Sequence, residues 1–225
     1  MDFLQTVLDF FLNLDKHLFT MIVDYGLWIY LILFLIIFVE TGLVVMPFLP
    51  GDSLLFAAGT FCAGVIGATG ETASLNLWLV LALLTVAAIL GDTLNYYLGK
   101  NVGLKILGWK IGDRQLVNPK YIGQTQDFYQ KNGPKTIIIA RFVPIVRTFA
   151  PFVAGIGSMN YATFLKYNII GAFVWVWGLT LMGYFFGNLP IVQQNFETVI
   201  FGIIIISLLP MVWEIISAKF IKNNS

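Results

Sequence analysis

The fold of this 225-residue chain is decided by a stretch near its middle, residues 140–151, which reads ARFVPIVRTFAP. The surrounding region, Thr136–Gly157, is apolar, yet this stretch places two arginines and two prolines inside it. A proline removes a backbone donor and breaks a helix, and broken backbone at membrane depth is tolerated only inside protein or beside a wet cavity. We therefore expect Thr136–Gly157 to form a helical hairpin with a broken tip.

The composition of the whole chain is that of an integral membrane protein. Hydrophobic residues make up 58% and charged residues only 11%, whereas a soluble domain has about 45–50% and about 25%. Such hydrophobicity excludes intrinsic disorder, and the single cysteine, Cys62, excludes a disulfide scaffold. The net charge of +1 provides no basic surface for nucleic acid.

Three further apolar runs are long enough to cross a membrane, because a spanning helix needs about 20 residues. These runs are Leu75–Gly99, Ala162–Gly187 and Phe196–Ile216. A fourth apolar region, Leu27–Gly70, is interrupted by prolines at positions 47 and 50. We predict that this region forms a second broken helical hairpin.

The N-terminal segment, residues 1–24, places its apolar side chains on one face at helical spacing and its polar side chains on the other. This pattern predicts an amphipathic helix that lies in the membrane interface.

Positive charge sets the predicted orientation. The loop 100–135 holds seven of the thirteen lysines and arginines but only two acids, so it is predicted to be cytoplasmic, as is the C-terminus with Lys219 and Lys222. Thr136–Gly157 would then enter and leave the membrane on one face, as a re-entrant hairpin. Leu27–Gly70 is either its counterpart, with the N-terminus outside, or it contains a separate span, Leu27–Met46, with the N-terminus inside.

The two halves of the chain show the same order of features. A charged residue is followed ten positions later by proline (Glu40 and Pro50, Arg141 and Pro151), then by a small-residue arm and a span with an aromatic end. Because the two spans run in opposite directions, this order predicts an inverted repeat, as in many transporters. The predicted single all-α membrane domain, 1–225, thus contains the amphipathic helix 1–24, the first repeat 27–99, the loop 100–135, the second repeat 136–187 and a last transmembrane helix, 196–218.

Four charges lie within or beside the two hairpins: Glu40, Asp52, Arg141 and Arg147. A charge at the centre of a bilayer costs about 2.5–3.5 kcal/mol even on insertion scales, so these groups must pair, face water or bind a ligand. One interpretation is structural, with two buried salt bridges that lock the hairpins together.

The other interpretation is functional and begins with the arginines. Arg141 and Arg147, converging at a broken tip, would clamp one phosphate by bidentate hydrogen bonds. A helix that starts near Pro151 would direct its positive N-terminal end towards the same anion. Pro144 and Pro151, and Pro50 and Gly51 in the first hairpin, count as supporting residues.

The acids supply the second part of this interpretation. Glu40 and Asp52 would take up protons in a poorly hydrated place and couple protonation to a conformational change. Asp52 also suits a helix N-cap after Pro50-Gly51, and capping alone would explain it. Asp92 is either a further supporting residue or a side chain that reaches the interface near Lys100, and Trp175 is expected only to pack.

Taken together, these residues resemble the signatures of the DedA family of membrane proteins. The resemblance to the first signature lies in FVETGL (38–43) with PFLPGDSLL (47–55). The resemblance to the second lies in Gly91-Asp92 with Tyr96 and Gly99, and the resemblance to the third lies in residues 140–155. The resemblance covers nearly the whole chain. It implies a multi-pass protein of the bacterial cytoplasmic (inner) membrane, related to eukaryotic lipid scramblases, with two facing re-entrant hairpins.

The resemblance also implies transport of a phosphate-bearing lipid, either a polyprenyl phosphate or a phospholipid, driven by the proton motive force. It further implies that Glu40, Asp52, Arg141 and Arg147 are functional. The expected partners are membrane lipids and protons, with no nucleic acid, and a homo-oligomer is left open.

Other functions remain as alternatives. A proton-coupled small-ion or drug antiporter would use the same acids, with the arginines only neutralising them. A scaffold without transport is a further alternative. An enzyme is not expected, because the only histidine, His17, lies on the N-terminal helix and no His/Cys cluster is present to hold a metal. No cofactor is expected.

Overall fold

The computed structural model describes residues 26–43, 51–66, 72–108, 110–111, 114–115 and 119–194. The predicted amphipathic helix 1–24, Pro50 and the predicted last transmembrane helix 196–218 lie outside these residues.

The described chain is mostly helical. Its helices are α1 (Leu27–Gly42), α2 (Gly51–Ala63), α3 (Leu77–Gly108), α4 (Pro119–Asn132), α5 (Thr136–Ala140), α6 (Pro144–Ile156), α7 (Tyr161–Gly187) and α8 (Pro190–Gln194), with a 3-10 turn at Gly133–Lys135. Two short antiparallel strand pairs connect helices: β1 (Val65–Ile66) with β2 (Thr72–Ala73), and β3 (Lys110–Ile111) with β4 (Arg114–Gln115).

Among the described residues, two helical segments are long and apolar enough to cross a membrane. They are Leu77–Gly103 within α3 and Tyr161–Gly187, which is α7, and each has 27 residues. A helix of this length rises about 40 Å, more than the hydrocarbon core of about 30 Å. Apolar helices α1 and α6 are shorter, as expected for the arms of broken hairpins. Re-entrance and inverted topology stay predictions.

The described residues form two compact units. The first contains residues 26–32, 51–80 and 179–194, and the second contains residues 33–43 and 81–178, each with the gaps given above.

In the first unit, α2 packs directly against the backbone of α7. A Cβ at Gly59 would collide with the carbonyl oxygen of Thr180, and one at Gly183 would collide with the backbone of Phe56. Thr60 Oγ1 donates a hydrogen bond to the Gly183 carbonyl oxygen at 3.4 Å. Glycines allow this close approach, as they do between membrane helices in general.

The second unit contains a matching contact between α6 and α3. A Cβ at Gly155 would collide with the carbonyl oxygen of Tyr96, and one at Gly99 would collide with the backbone of Phe152. In both contacts a phenylalanine precedes the short helix's glycine by three residues. The matching contacts make Gly99 of α3 the counterpart of Gly183 of α7.

Helix α6 packs back against α5, within the predicted second hairpin, and also against α4, which precedes that hairpin in the chain. Tyr129 on α4 donates a hydrogen bond to the Ala150 carbonyl oxygen at 2.9 Å, and Ile122 joins an apolar cluster with Phe152. Burial raises the pKa of Tyr129, and the negative charge of Asp92 raises it further, so the phenol stays a donor.

The region 100–135, predicted as a loop, is therefore substantially folded. Helix α3 continues as far as Gly108, and α4 occupies most of the remainder. The many basic side chains made these helices hard to predict from the sequence, because the charged face of an amphipathic helix has the same composition as a loop.

The predicted start of a helix near Pro151 is wrong. Helix α6 begins at Pro144, and Pro151 lies inside it. Val143 before it is extended, with φ −118° and ψ 105°. This arrangement is favoured because a residue before proline avoids helical geometry, while proline itself suits the first turn of a helix. The break at the hairpin tip therefore comprises residues 141–143.

Candidate functional site

Arg141 occupies the break between α5 and α6 and is buried, with 3% of its surface exposed. Its Nη2 donates hydrogen bonds to Asp92 Oδ2 at 2.5 Å and to Asn168 Oδ1 at 2.7 Å. Asn168 is held in turn, because its Nδ2 donates to the Ile89 carbonyl oxygen at 3.1 Å. Helices α3 and α7 thus fix this guanidinium from two sides.

Helix α7 provides the space for Arg141 through a glycine. A Cβ at Gly171 would lie 3.1 Å from Arg141 Nε and 3.2 Å from its Cδ. Asn168, Gly171 and Trp175 fall on one face of α7, since residues three, four and seven apart share a helix face. On that face Asn168 provides an acceptor, Gly171 provides space and Trp175 provides an aromatic ring for Arg141.

Arg147 lies in the first turn of α6 and forms an ion pair with Glu40 near the end of α1. The Glu40 side chain is 3% exposed, and that of Arg147 is 12% exposed. Both ion pairs of this unit are therefore shielded from water. The Glu40–Arg147 pair joins the two predicted hairpins, whereas Arg141 pairs with Asp92 on the long helix α3.

The two arginines meet at one aromatic ring. The Cζ atom of Arg147 lies 4.8 Å from the centroid of the Trp175 ring, and that of Arg141 lies 5.5 Å from it. A guanidinium within about 6 Å of a ring centroid is attracted by its π face. Trp175 is fully buried, so it forms a shared apolar platform for both cations in addition to packing.

Asn95, one turn after Asp92 on α3, joins the two backbones that carry the second ion pair. Its Nδ2 donates to the Thr41 carbonyl oxygen at 3.2 Å and to the Thr148 carbonyl oxygen at 2.8 Å. Asn95 and Asn168 are site residues that motif and charge patterns in the sequence do not single out. The available signal was the presence of amides in the middle of spanning segments, where each polar group needs a partner.

Donors remain for a further acceptor. Arg141 Nε and Nη1 are buried and have no hydrogen-bond partner among the residues that the structure describes. Arginine presents five N–H donors in a planar fork that matches carboxylate and phosphate oxygens. Arg141 therefore has donor capacity for an oxyanion beyond the partners of Nη2.

Asp52 belongs to the first unit, where it is exposed in the first turn of α2, directly after the buried Gly51. A carboxylate there interacts favourably with the positive end of the helix. Within the described ranges, no group of three or more His, Cys, Asp or Glu residues could hold a metal ion.

Sequence comparison shows which known proteins this chain is similar to. The VTT domain matches residues 49–185. The chain is 51% identical over 219 residues to Protein DedA of Escherichia coli K12, covering 97% of this chain and 96% of that protein. It is 41% identical to an uncharacterized membrane protein of Mycobacterium leprae (78% of this chain, 74% of that protein) and 34% identical to inner membrane protein YqjA of E. coli K12 (72% and 70%). No solved structure matches the chain at a significant level.

Proposed function

This chain belongs to the DedA family of VTT-domain membrane proteins, and from that premise we propose that it translocates a phosphate-bearing lipid with proton coupling. The lipid is a polyprenyl phosphate or a phospholipid. The names of its relatives, among them an inner membrane protein of E. coli, support a location in the inner membrane. We further propose a multi-pass topology with a cytoplasmic region 100–135.

The observation that carries the proposal is the convergence of Arg141 and Arg147 on the buried ring of Trp175. Two guanidiniums at one apolar ring can bind an additional anion for two reasons. Arg141 retains unused donors, and Arg147 can exchange its acid partner for the anion. A lipid phosphate fits this requirement, since its acyl or prenyl chains can stay in the hydrocarbon while the headgroup enters the protein.

The two arginines have different roles in this proposal. Arg141 is fixed by Asp92, Asn168 and Trp175, and it offers Nε and Nη1 to the phosphate without moving. Arg147 is the more exposed of the two and is paired with Glu40. We assign to Arg147 the exchange step, in which a phosphate oxygen replaces the Glu40 carboxylate.

Proton coupling follows from that exchange. A carboxylate that loses its cation in an apolar place is destabilised as an anion, so Glu40 takes up a proton when the phosphate binds Arg147. When Glu40 loses that proton, its carboxylate pairs with Arg147 again and displaces the lipid phosphate. Asp52, exposed in the first unit, is proposed as a second proton-carrying group.

The test uses purified protein in liposomes that contain a fluorescent polyprenyl phosphate or phospholipid, with headgroup movement measured by quenching from outside. We expect Arg147→Gln and Arg141→Gln to reduce movement to the protein-free rate. Lys131→Gln removes an equal charge from an exposed position on α4 and is expected to transport normally. Unchanged rates in both arginine variants would refute lipid binding by these residues.

A second function is favoured by one observation, namely that both arginines have acid partners. In a proton-coupled small-ion or drug antiporter the arginines would only neutralise Asp92 and Glu40. Ion or drug flux without lipid movement in the same liposomes would select this function. We propose that neither process includes chemical conversion of the lipid, so phosphate release by the purified protein would contradict both.

A further inference from the structure

The side chain of Asn95 is fully buried in α3 and contacts two other helices at once. Its amide group has two hydrogens, and Nδ2 donates to two backbone carbonyls, that of Thr41 on α1 and that of Thr148 on α6. Both donor hydrogens are therefore used by residues from different segments of the chain.

These two carbonyls are next to the exchangeable ion pair. Thr41 directly follows Glu40, and Thr148 directly follows Arg147. A single amide group thus holds the backbone beside each partner of the pair. Asn95 thus bridges the two backbone segments from which the side chains of Glu40 and Arg147 extend.

The approach of α1 to α3 is close enough for this bond because position 91 is glycine. A Cβ at Gly91 would collide with Thr41 Oγ1 and with the Phe38 carbonyl oxygen. Thr41 Oγ1 itself donates to the Ile37 carbonyl oxygen at 2.9 Å. The end of α1 is consequently held to α3 by close packing as well as by the amide.

We infer that Asn95 is a positioning residue for the Glu40–Arg147 pair. It keeps the ends of α1 and α6 at a fixed spacing, so that the pair opens by side-chain rotation and closes again without separation of the helices. When Asn95 is lost, Arg147 holds Glu40 less firmly and Glu40 takes up a proton more readily. The consequence for transport rests on the proposed function, but the effect on the ion pair does not.

The experiment follows protonation of Glu40 in purified full-length protein without any lipid substrate. Infrared difference spectra recorded during pH titration report the carboxyl band, which is assigned to Glu40 by its loss in Glu40→Gln. Asn95→Ser leaves a hydroxyl that can donate to only one of the two carbonyls. We expect its Glu40 titration midpoint to move upward by about one pH unit, the scale of one or two lost hydrogen bonds.

Two further variants make the result specific. Gly91→Ala forces Thr41 away from α3 and is expected to move the Glu40 midpoint in the same direction. This variant tests the inference if Asn95→Ser does not fold. Asn188→Ser is the matched control: Asn188 is an exposed asparagine whose Nδ2 donates to the Tyr184 carbonyl oxygen at 2.8 Å. It should titrate as the unmodified protein does.

The outcomes separate this inference from the proposed function. A wild-type midpoint in folded Asn95→Ser and Gly91→Ala would overturn the positioning role. A raised midpoint supports it, whether or not lipid moves in liposomes. If the midpoint rises while the unmodified protein moves no lipid, the positioning role holds and lipid translocation is refuted. If lipid moves, Asn95→Ser should also shift the pH dependence of transport upward, and this shift should vanish in the Glu40→Gln background.

Discussion

Asp92 Oδ2 and Arg141 Nη2 lie 2.5 Å apart, and both side chains are almost completely buried. They come from positions 49 residues apart in the chain. The pair anchors the broken tip of the second hairpin to the middle of a long apolar helix, and it fixes the arginine that carries the unpaired donors.

Removal of the Asp92 charge should destabilise the protein strongly. Asp92→Asn leaves Arg141 buried without a counter-charge, which typically costs about 3–5 kcal/mol. Thermal unfolding in detergent should show this loss, and Asp92→Asn combined with Arg141→Met should regain part of it. Asp127→Asn, at an exposed acid on α4, is the control and should leave the unfolding temperature unchanged.

A methyl group at Gly171 should displace Arg141. The added Cβ would lie 3.1 Å from Nε, closer than ordinary contact, so Gly171→Ala should reduce lipid movement by about tenfold or more while the protein still folds. Gly178→Ala is the control on the same helix, because nothing lies within 4 Å of a Cβ there. Equal transport by both variants would contradict the role given to the Arg141 geometry.

The ring of Trp175 should be replaceable only by another aromatic ring. Trp175→Phe keeps a π face for both guanidiniums, whereas Trp175→Leu loses two cation–π contacts worth about 0.5–2 kcal/mol each. We expect transport to be retained in part by the phenylalanine variant and lost in the leucine variant. Trp177→Leu, which removes the ring stacked on Phe173, should transport nearly normally.

The two glycine contacts should respond alike to substitution. Gly59→Ala in the first unit and Gly155→Ala in the second both force a methyl group against backbone atoms, and each should lower stability by at least about 1–3 kcal/mol. Gly123→Ala on α4 meets nothing within 4 Å and should be neutral or stabilising. A large effect in one unit alone would argue against equivalent contacts.

Several features could be predicted from local sequence because their causes are local. The two 27-residue spans follow from long, mostly apolar runs without proline, and the break before Pro144 follows from the steric restriction on a residue that precedes proline. The prediction of a helix start near Pro151, which is wrong, relied on the same steric effect of proline. A proline in sequence indicates a break, and only the tertiary structure, in which α6 packs against α4 and α5, shows that this helix continues past Pro151.

The identity of the partners could not be predicted in this way. Periodicity assigns a residue to a face of its own helix, but the partners of Arg141 come from two other helices, Asp92 from α3 and Asn168 with Trp175 from α7, which local rules do not orient. The sequence therefore determined that buried charges must be compensated, because apolar surroundings make unpaired charge costly. Only the tertiary structure decided that Asp92 compensates Arg141, that Glu40 compensates Arg147 and that Asn95 joins their backbones, because these contacts depend on the packing of helices distant in the chain.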